Sequence, residues 1–237
     1  MTHLYLIRHA EAIAAVQDII GDTDLTPLGI TQAERLRDRL AATGEIAADV
    51  LIASTFLRAR QTAEIIAPAL GLPIVWDDEV QEMRPGEAEG MHIKELRETF
   101  GDVDLMQNPF QPIAPGGENW GQFMLRVGTA LNRITRQYEG KTIAVVCHGG
   151  VIDGSFLYFF RSASLHLPPA RFYTHNTSIT HWQKEKFFGR SPHWRLITYN
   201  DDMHLRDIGS STRIPWKELS AQPTIRADQA QPPVPTE

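Results

Sequence analysis

The chain has 237 residues, of which 42% are hydrophobic and 22% are charged, values typical of a globular protein with a sizeable core. Its formal net charge of −6 should repel nucleic acids and anionic membranes. The single cysteine, Cys147, excludes an intrachain disulfide and suits a reducing compartment. There is no basic leader and no apolar run of about 18 residues. We therefore expect a cytoplasmic protein without nucleic-acid or membrane partners.

Short apolar runs between turn residues predict the β-strands of this chain. In chain order these runs occupy residues 3–7, 49–54, 73–77, 141–150, 177–183 and 193–200. The first run, "HLYLI", is apolar on both faces, which is typical of a central strand. The run at 141–150 ends abruptly in a histidine and two glycines.

Apolar residues spaced three and four apart predict the helices. One helix is expected to start at Thr26 as N-cap, with Pro27 in its first turn, and to stop at Gly44. Further helices are predicted around 56–70, near 91–99 and from Trp120 to Tyr138.

The alternation of strands and helices predicts a three-layer α/β/α sandwich with a mainly parallel central sheet. We assign residues 1–208 to one domain. Within it, residues 83–116 are rich in glycine, proline and acids, and we expect them to form a substrate loop or lid. Residues 209–237 hold five of the 15 prolines and no sustained periodicity, which predicts a loosely ordered tail.

Basic side chains follow three of the predicted strands. Arg8 and His9 end the first strand, Arg58 follows the second, and His148 ends the strand at 141–150. Because ligands bind at the carboxyl ends of the strands in an open α/β sheet, these four side chains should converge at one edge. Cationic donors in such a cluster suit a phosphoryl group, for which arginine offers a forked pair of N–H donors.

Several segments resemble those of the histidine phosphatase superfamily, also called the phosphoglycerate mutase-like superfamily. In the family's order they read "LYLIRHAEA", "STFLRARQTAEIIA", "QEMRPGEAEG", "PGGENWGQFMLRV", "VVCHGGV" and "NTSIT". Together they cover residues 3 to about 205. The resemblance implies a phosphoglycerate mutase-like fold.

The resemblance also implies a role for each site residue. His9 would be the nucleophile that is phosphorylated during turnover, and Arg8, Arg58 and His148 would bind the phosphoryl oxygens. Glu82 matches the family's proton donor because it opens the pattern Glu-x-x-x-Gly-x-x-Glu-Gly. These groups suit the chemistry, since a neutral imidazole can attack phosphorus and a carboxylic acid can protonate the leaving alkoxide.

Neighbouring acids leave the choice of proton donor open. The alternatives to Glu82 are Glu79, Glu87 and Glu89. No histidine or cysteine spacing typical of a metal site is present, and no glycine-rich nucleotide-binding motif occurs. We therefore expect no cofactor and a metal-independent reaction, with the arginines neutralising the phosphate charge.

Departures from the mutase pattern favour hydrolysis over phosphotransfer. Ala10 and Ala15 stand where mutases have glycine and asparagine, Pro85 stands at a tyrosine position, and 105–118 lacks an arginine pair. A mutase must bind two anionic groups, so missing cations favour a phosphatase. Phosphoglycerate mutase-type transfer remains an alternative, as does an inactive member that binds phosphorylated ligands or acts as a scaffold.

The expected partner is a small phosphorylated substrate of unspecified identity. The sequence leaves the oligomeric state open, and a homodimer is one possibility. A set of large apolar residues could roof the substrate pocket or belong to the core. The set comprises Met83, Met91, Phe100, Met106, Phe110 and Trp120.

Overall fold

The computed structural model describes residues 1–105, 107–162, 172–185 and 191–208. Within these residues, strands join into a six-stranded sheet of order β3-β2-β4-β1-β5-β6. The strands are β1 (Thr2–Arg8), β2 (Val50–Ala53), β3 (Ile74–Trp76), β4 (Thr142–Cys147), β5 (Ile179–Glu185) and β6 (His193–Asp201). Each overlaps a run that the sequence predicts as a strand, within three residues at either end.

Four of the helices lie where the sequence predicts them, whereas α1 and α6 were not predicted. They are α1 (Ile13–Val16), α2 (Pro27–Thr43), α3 (Leu57–Leu70), α4 (Ile93–Phe100), α5 (Trp120–Gln137) and α6 (Gly149–Phe159). At the start of α2 the Thr26 side chain accepts a hydrogen bond from the Gly29 N–H. The helix ends at Gly44, whose φ of 61° lies in the left-handed region that glycine adopts without strain.

Strand pairing makes the sheet mainly parallel. β1 pairs in parallel with β4, and β2 pairs in parallel with both β4 and β3. On the other side of β1, β5 runs antiparallel, and β6 runs antiparallel to β5. The hydrophobic runs predicted these last two strands but contained no information on their direction.

Helices cover both faces of the sheet. In β4, Ile143 and Val145 pack with the apolar residues of α5 and α6. Their neighbours Ala144 and Val146 pack with α2 and α3 on the opposite face. This period-two division is the expected consequence of side chains alternating across a strand. The prediction of a three-layer α/β/α sandwich is confirmed.

Helix α6 is the main element that the sequence analysis did not assign. It is apolar on most sides because it packs against both the sheet and α5, with Ile152 and Phe156 buried in the core. A helix with so little polar surface has no clear amphipathic period to detect. In the described part of the chain, no helix is both long and apolar enough to cross a membrane.

The insertion at 83–116 contains a single 3-10 turn at Gly86–Ala88 and helix α4 within its described residues. Two backbone hydrogen bonds join it to the segment before α2. The Ile20 N–H donates to the Met91 carbonyl and the Gly90 N–H donates to the Ile20 carbonyl, both at 2.8 Å. The tail predicted at 209–237 lies outside the described residues, so the boundary at residue 208 stays a prediction.

Candidate active site

The four basic residues predicted to converge lie together at one edge of the sheet. Arg8 is the last residue of β1 and pairs with Cys147, the last residue of β4. The next residues of the two strands, His9 and His148, therefore lie side by side, with ring centroids 5.1 Å apart. Arg58 enters from the first turn of α3, and its Nε lies 3.2 Å from the Nε2 of His9.

The hydrogen bonds of His9 define its tautomer. Its Nδ1 lies 2.6 Å from the carbonyl oxygen of Ala10. A carbonyl oxygen only accepts, so the proton of the neutral ring lies on Nδ1. The Nε2 lone pair then accepts the N–H of Arg58. This arrangement leaves Nε2 as the nucleophilic atom of the ring.

The surroundings of His9 favour its neutral form. Burial lowers its pKa well below the usual 6.5, and the positive charges of Arg58 and Arg8 lower it further. The bond to the Ala10 carbonyl opposes this shift without reversing it. The imidazole is therefore uncharged at neutral pH, as a nucleophile must be.

The two arginines are held mainly by backbone groups and one carboxylate. Arg58 Nη1 donates to the Gly21 carbonyl and to the Asp22 carboxylate, each at 3.0 Å. Arg8 Nη1 donates to the Thr174 carbonyl. The buried Nε of Arg8 has no hydrogen-bond partner among the described residues. An unpaired buried donor of a guanidinium is suited to an anionic ligand.

His148 is completely buried, and its Nε2 lies 2.8 Å from the Ser54 hydroxyl. Its Nδ1 has no hydrogen-bond partner in the described part of the chain. Burial, with the charge of Arg58 and the neighbouring His9, lowers the pKa of His148 well below its usual value. Its partner Ser54 directly follows the last residue of β2, Ala53.

Glu82 is joined to the same edge through α6. One carboxylate oxygen, Oε2, accepts the Gly150 N–H at 2.9 Å, and Oε1 accepts the Met83 N–H at 3.0 Å. A Cβ on Gly150 would lie 2.3 Å from Oε1, so any side chain at this position would have to displace the Glu82 carboxylate from its present place. No local sequence pattern connects Gly150 with Glu82, which lies 68 residues earlier.

The alternative acids make other contacts. Glu79 pairs with Arg84 at 3.6 Å, and a Glu89 carboxylate oxygen accepts the Asp22 N–H at 2.7 Å. Glu87 is exposed to solvent. Of the four acids considered, Glu82 is thus the one bonded to the helix turn that follows His148.

Other residues singled out in the sequence lie elsewhere. The Arg60 guanidinium lies over the Trp76 ring, 4.8 Å from its centroid. Of the apolar set that could roof a pocket, Trp120 belongs to the core, Phe110 is 60% exposed and Met106 lies outside the described residues. Among the residues that the structure describes, no group of three or more histidines, cysteines or acids could hold a metal ion.

The sandwich and the basic edge define an α/β protein in which two arginines and a second histidine surround a buried, neutral histidine. Residues 4–201 match the family model of the histidine phosphatase superfamily (branch 1). The chain belongs to this superfamily, as the sequence motifs indicated.

Individual relatives support this assignment. A putative phosphoserine phosphatase 2 of Hydrogenobacter thermophilus is 34% identical over 157 residues, covering 64% of this chain and 75% of that protein. A probable phosphoglycerate mutase, GpmB, of Escherichia coli is 30% identical over 213 residues, covering 86% and 95% of the two chains. The solved structure of YhfR from Bacillus stearothermophilus superposes with a TM-score of 0.72 at 28% identity, covering 86% of this chain and all of that one.

Proposed function

We propose that the protein is a phosphatase that hydrolyses phosphomonoesters through a phosphohistidine on His9, with Glu82 as general acid and base. The observation that carries this proposal is the unprotonated Nε2 of His9, directed at the arginine donors by the Nδ1 bond to Ala10. Membership of the superfamily and the relative named a phosphoserine phosphatase support the same class of reaction.

In the first step, Nε2 of His9 attacks the phosphorus in line with the leaving oxygen. The N–P bond forms as the P–O bond breaks, and Glu82 donates its proton to the leaving alkoxide. Arg8, Arg58 and His148 bind the phosphoryl oxygens, whose charge the two guanidinium groups stabilise.

In the second step, water releases the phosphate. Glu82, now a carboxylate, accepts a proton from a water molecule as that water attacks the phosphorus. The N–P bond breaks, inorganic phosphate leaves, and the imidazole of His9 returns to its neutral state. The guanidinium groups perform the charge neutralisation throughout, so we propose a reaction that needs no metal and proceeds in the presence of EDTA.

Phosphotransfer is the second candidate, because one relative is named a probable phosphoglycerate mutase. Ala10, Ala15 and Pro85 depart from the mutase pattern, which favours hydrolysis. Release of inorganic phosphate from phosphoserine and 3-phosphoglycerate, compared with formation of an isomeric phosphoester, separates the two activities.

The central test is the turnover of 4-nitrophenyl phosphate by wild type and His9→Ala between pH 4 and 8. We expect His9→Ala to lower kcat by at least about a thousand-fold, since it removes the nucleophile. Acid-quenched wild type should carry phosphate on a histidine, and His9→Ala should carry none.

The matched control is His92→Ala, which removes an exposed imidazole and should retain wild-type turnover. Equal activity in wild type and His9→Ala, or no activity in either, would contradict the proposed function.

A further inference from the structure

Next to the segment that carries Glu82 lies a buried ion pair formed by Arg126 of α5 and Glu118. Arg126 is only 8% exposed. Its Nε and Nη2 donate to the two carboxylate oxygens of Glu118, at 2.7 and 2.5 Å. This two-point contact fixes the plane of the guanidinium, which a single contact would leave free to rotate.

The remaining donors of Arg126 bind the backbone leading to Glu82. Nη1 donates to the carbonyls of Glu79 and Gln81, at 2.9 and 3.0 Å. Nη2 donates to the carbonyl of Glu82 itself, at 3.1 Å. These bonds hold the backbone at two residues that precede Glu82 and at Glu82 itself.

Glu118 binds the same segment just beyond Glu82. Its Oε2 accepts the Arg84 N–H at 2.9 Å, and its own N–H donates to the Arg84 carbonyl at 2.8 Å. Burial alone would raise the pKa of Glu118, but the bonds from Arg126 and Arg84 outweigh it and hold the pKa below its usual value. Glu118 therefore remains a carboxylate at neutral pH.

Helix α5 also shapes the other side of the Glu82 carboxylate. The Arg126 guanidinium lies over the Phe123 ring, 5.1 Å from its centroid. The same ring would lie 2.8 Å from a Cβ on Gly150, whose N–H binds the carboxylate. Arg126 and Phe123, three residues apart on one helix face, thus set the backbone of Glu82 and the turn that receives its side chain.

Burying a charge pair is costly, and apolar residues of similar volume often replace such pairs without loss of stability. An ion pair that served the core alone would not need to bond the backbone on both sides of one acid. We propose that Arg126 and Glu118 are positioning residues that hold the Glu82 carboxyl at the place where it transfers its proton. This inference rests on the proposed role of Glu82.

Arg126→Lys tests the inference, because lysine keeps the positive charge but lacks the fork that reaches several acceptors. The probes are 4-nitrophenyl phosphate and phenyl phosphate, measured in single turnovers. Phenol is the poorer leaving group and depends more on protonation by Glu82. We expect Arg126→Lys to slow phenyl phosphate cleavage by about ten-fold or more, and 4-nitrophenyl phosphate cleavage by less than about three-fold.

A double-mutant cycle separates positioning from general support of the fold. If Arg126 acts through Glu82, adding Arg126→Lys to Glu82→Gln should slow phenyl phosphate cleavage by less than about two-fold further. Glu118→Gln weakens the same ion pair by removing the negative charge of its other partner. It should also slow phenyl phosphate cleavage more than 4-nitrophenyl phosphate cleavage. If Arg126→Lys does not fold, the two cleavage rates are measured in Glu118→Gln in its place.

Arg133→Lys is the matched control on the same helix. Arg133 pairs with Asp77 at 2.6 Å but its side chain is 46% exposed, so both probes should be cleaved at wild-type rates.

The inference is overturned if Arg126→Lys slows cleavage of both probes equally. It is also overturned if Arg126→Lys slows phenyl phosphate cleavage as much in the Glu82→Gln background as in wild type. Either result leaves the proposed function intact. Absence of turnover and of phosphohistidine in wild type refutes the proposed function, and the inference falls with it.

Discussion

The groups that surround His9 act in opposite directions on its affinity for a proton. The Ala10 carbonyl favours protonation, whereas burial and the charges of Arg58 and Arg8 oppose it more strongly. The same guanidinium that would bind the phosphate therefore also keeps the nucleophile neutral. Arg58 serves the site before any substrate arrives.

Replacing Arg58 with methionine should raise the pKa of His9, because one of the charges that oppose its protonation is removed. NMR titration of the ring should show the shift directly. In the free enzyme, the acidic limb of kcat/KM should move to higher pH, since His9 becomes protonated earlier as the pH falls.

Arg60→Met is the control for this titration, because Arg60 lies on the same helix but over Trp76. It should leave the His9 titration unchanged. An Arg58→Met enzyme whose His9 titrates as in wild type would contradict a contribution of the Arg58 charge to the pKa of His9.

For individual residues, the sequence predicted which side chains lie at the strand ends. It did not predict residues whose role depends on contacts with residues far away in the chain. Arg8, His9, Arg58 and His148 could be placed because parallel strands present their carboxyl ends at one edge. Ser54 and Gly150 could not, since their contacts with His148 and Glu82 span 94 and 68 residues.

At the scale of an element, the first turn of α6 connects Glu82 to the sheet edge that carries His9. His148 is the N-cap of this helix, and Gly150 in the same turn donates its N–H to Glu82. A helix N-terminus carries partial positive charge, which would stabilise the carboxylate left after the proposed proton transfer from Glu82.

Gly150→Ala should displace the Glu82 carboxylate, because the new Cβ would lie 2.3 Å from its Oε1 and 2.8 Å from the Phe123 ring. We expect kcat for phenyl phosphate to fall by about a hundred-fold, the lower range for loss of a general acid. Steady-state kinetics and circular dichroism distinguish this loss from unfolding.

Gly149→Ala is the neighbouring control. The nearest atom to its new Cβ is Arg8 Nε at 3.7 Å, an ordinary contact. It should retain activity within about three-fold, since no clash displaces Glu82. A similar loss in both variants would mean that any Cβ in this turn disturbs the site and that the Glu82 contact is not the cause.

Elements with an evident period and clear ends could be predicted from the sequence, whereas α6 could not. The start of α2 is encoded locally by Thr26 and Pro27, and its end by Gly44. Helix α6 packs against both the sheet and α5, and its apolar sequence shows no amphipathic period that would mark its limits.

For the whole molecule, the partly buried His181 and His204 add to the dependence of stability on pH that the buried His9 and His148 also produce. Burial and the charge of Arg39 lower the pKa of His204 to about 4. Burial and the adjacent His3 lower the pKa of His181 to about 4. In the unfolded chain both should titrate near 6.5. Folding therefore favours the neutral rings.

Because the folded pKa values lie below the unfolded ones, this stabilisation is fully present above about pH 6.5 and is lost as the pH falls towards 4. Urea unfolding at pH 7, 5.5 and 4.5 should show a declining free energy of unfolding. His181→Phe retains a ring beside Tyr5, 4.1 Å away in wild type, and should reduce the slope.

His92→Gln changes an exposed histidine and should leave the slope as in wild type. A free energy of unfolding that stays constant over this range, or a slope unaffected by His181→Phe, would contradict the assignment of these two groups.

The three-layer architecture could be predicted as a whole, because long apolar strands need cover on both faces. The antiparallel direction of β5 and β6 could not, since an apolar run reads the same either way along a sheet.

The position of β1 between β4 and β5 has a consequence for how the protein is made. Both partners of this first strand come late in the chain, since His3 pairs with Thr142 and with Gln183. During synthesis β1 therefore waits without a sheet neighbour until well over half of the polypeptide has emerged. Such distant pairing favours slow folding. The edge that carries His9 and His148 therefore depends on these distant pairings, and fragments that stop before residue 142 leave β1 without either sheet neighbour.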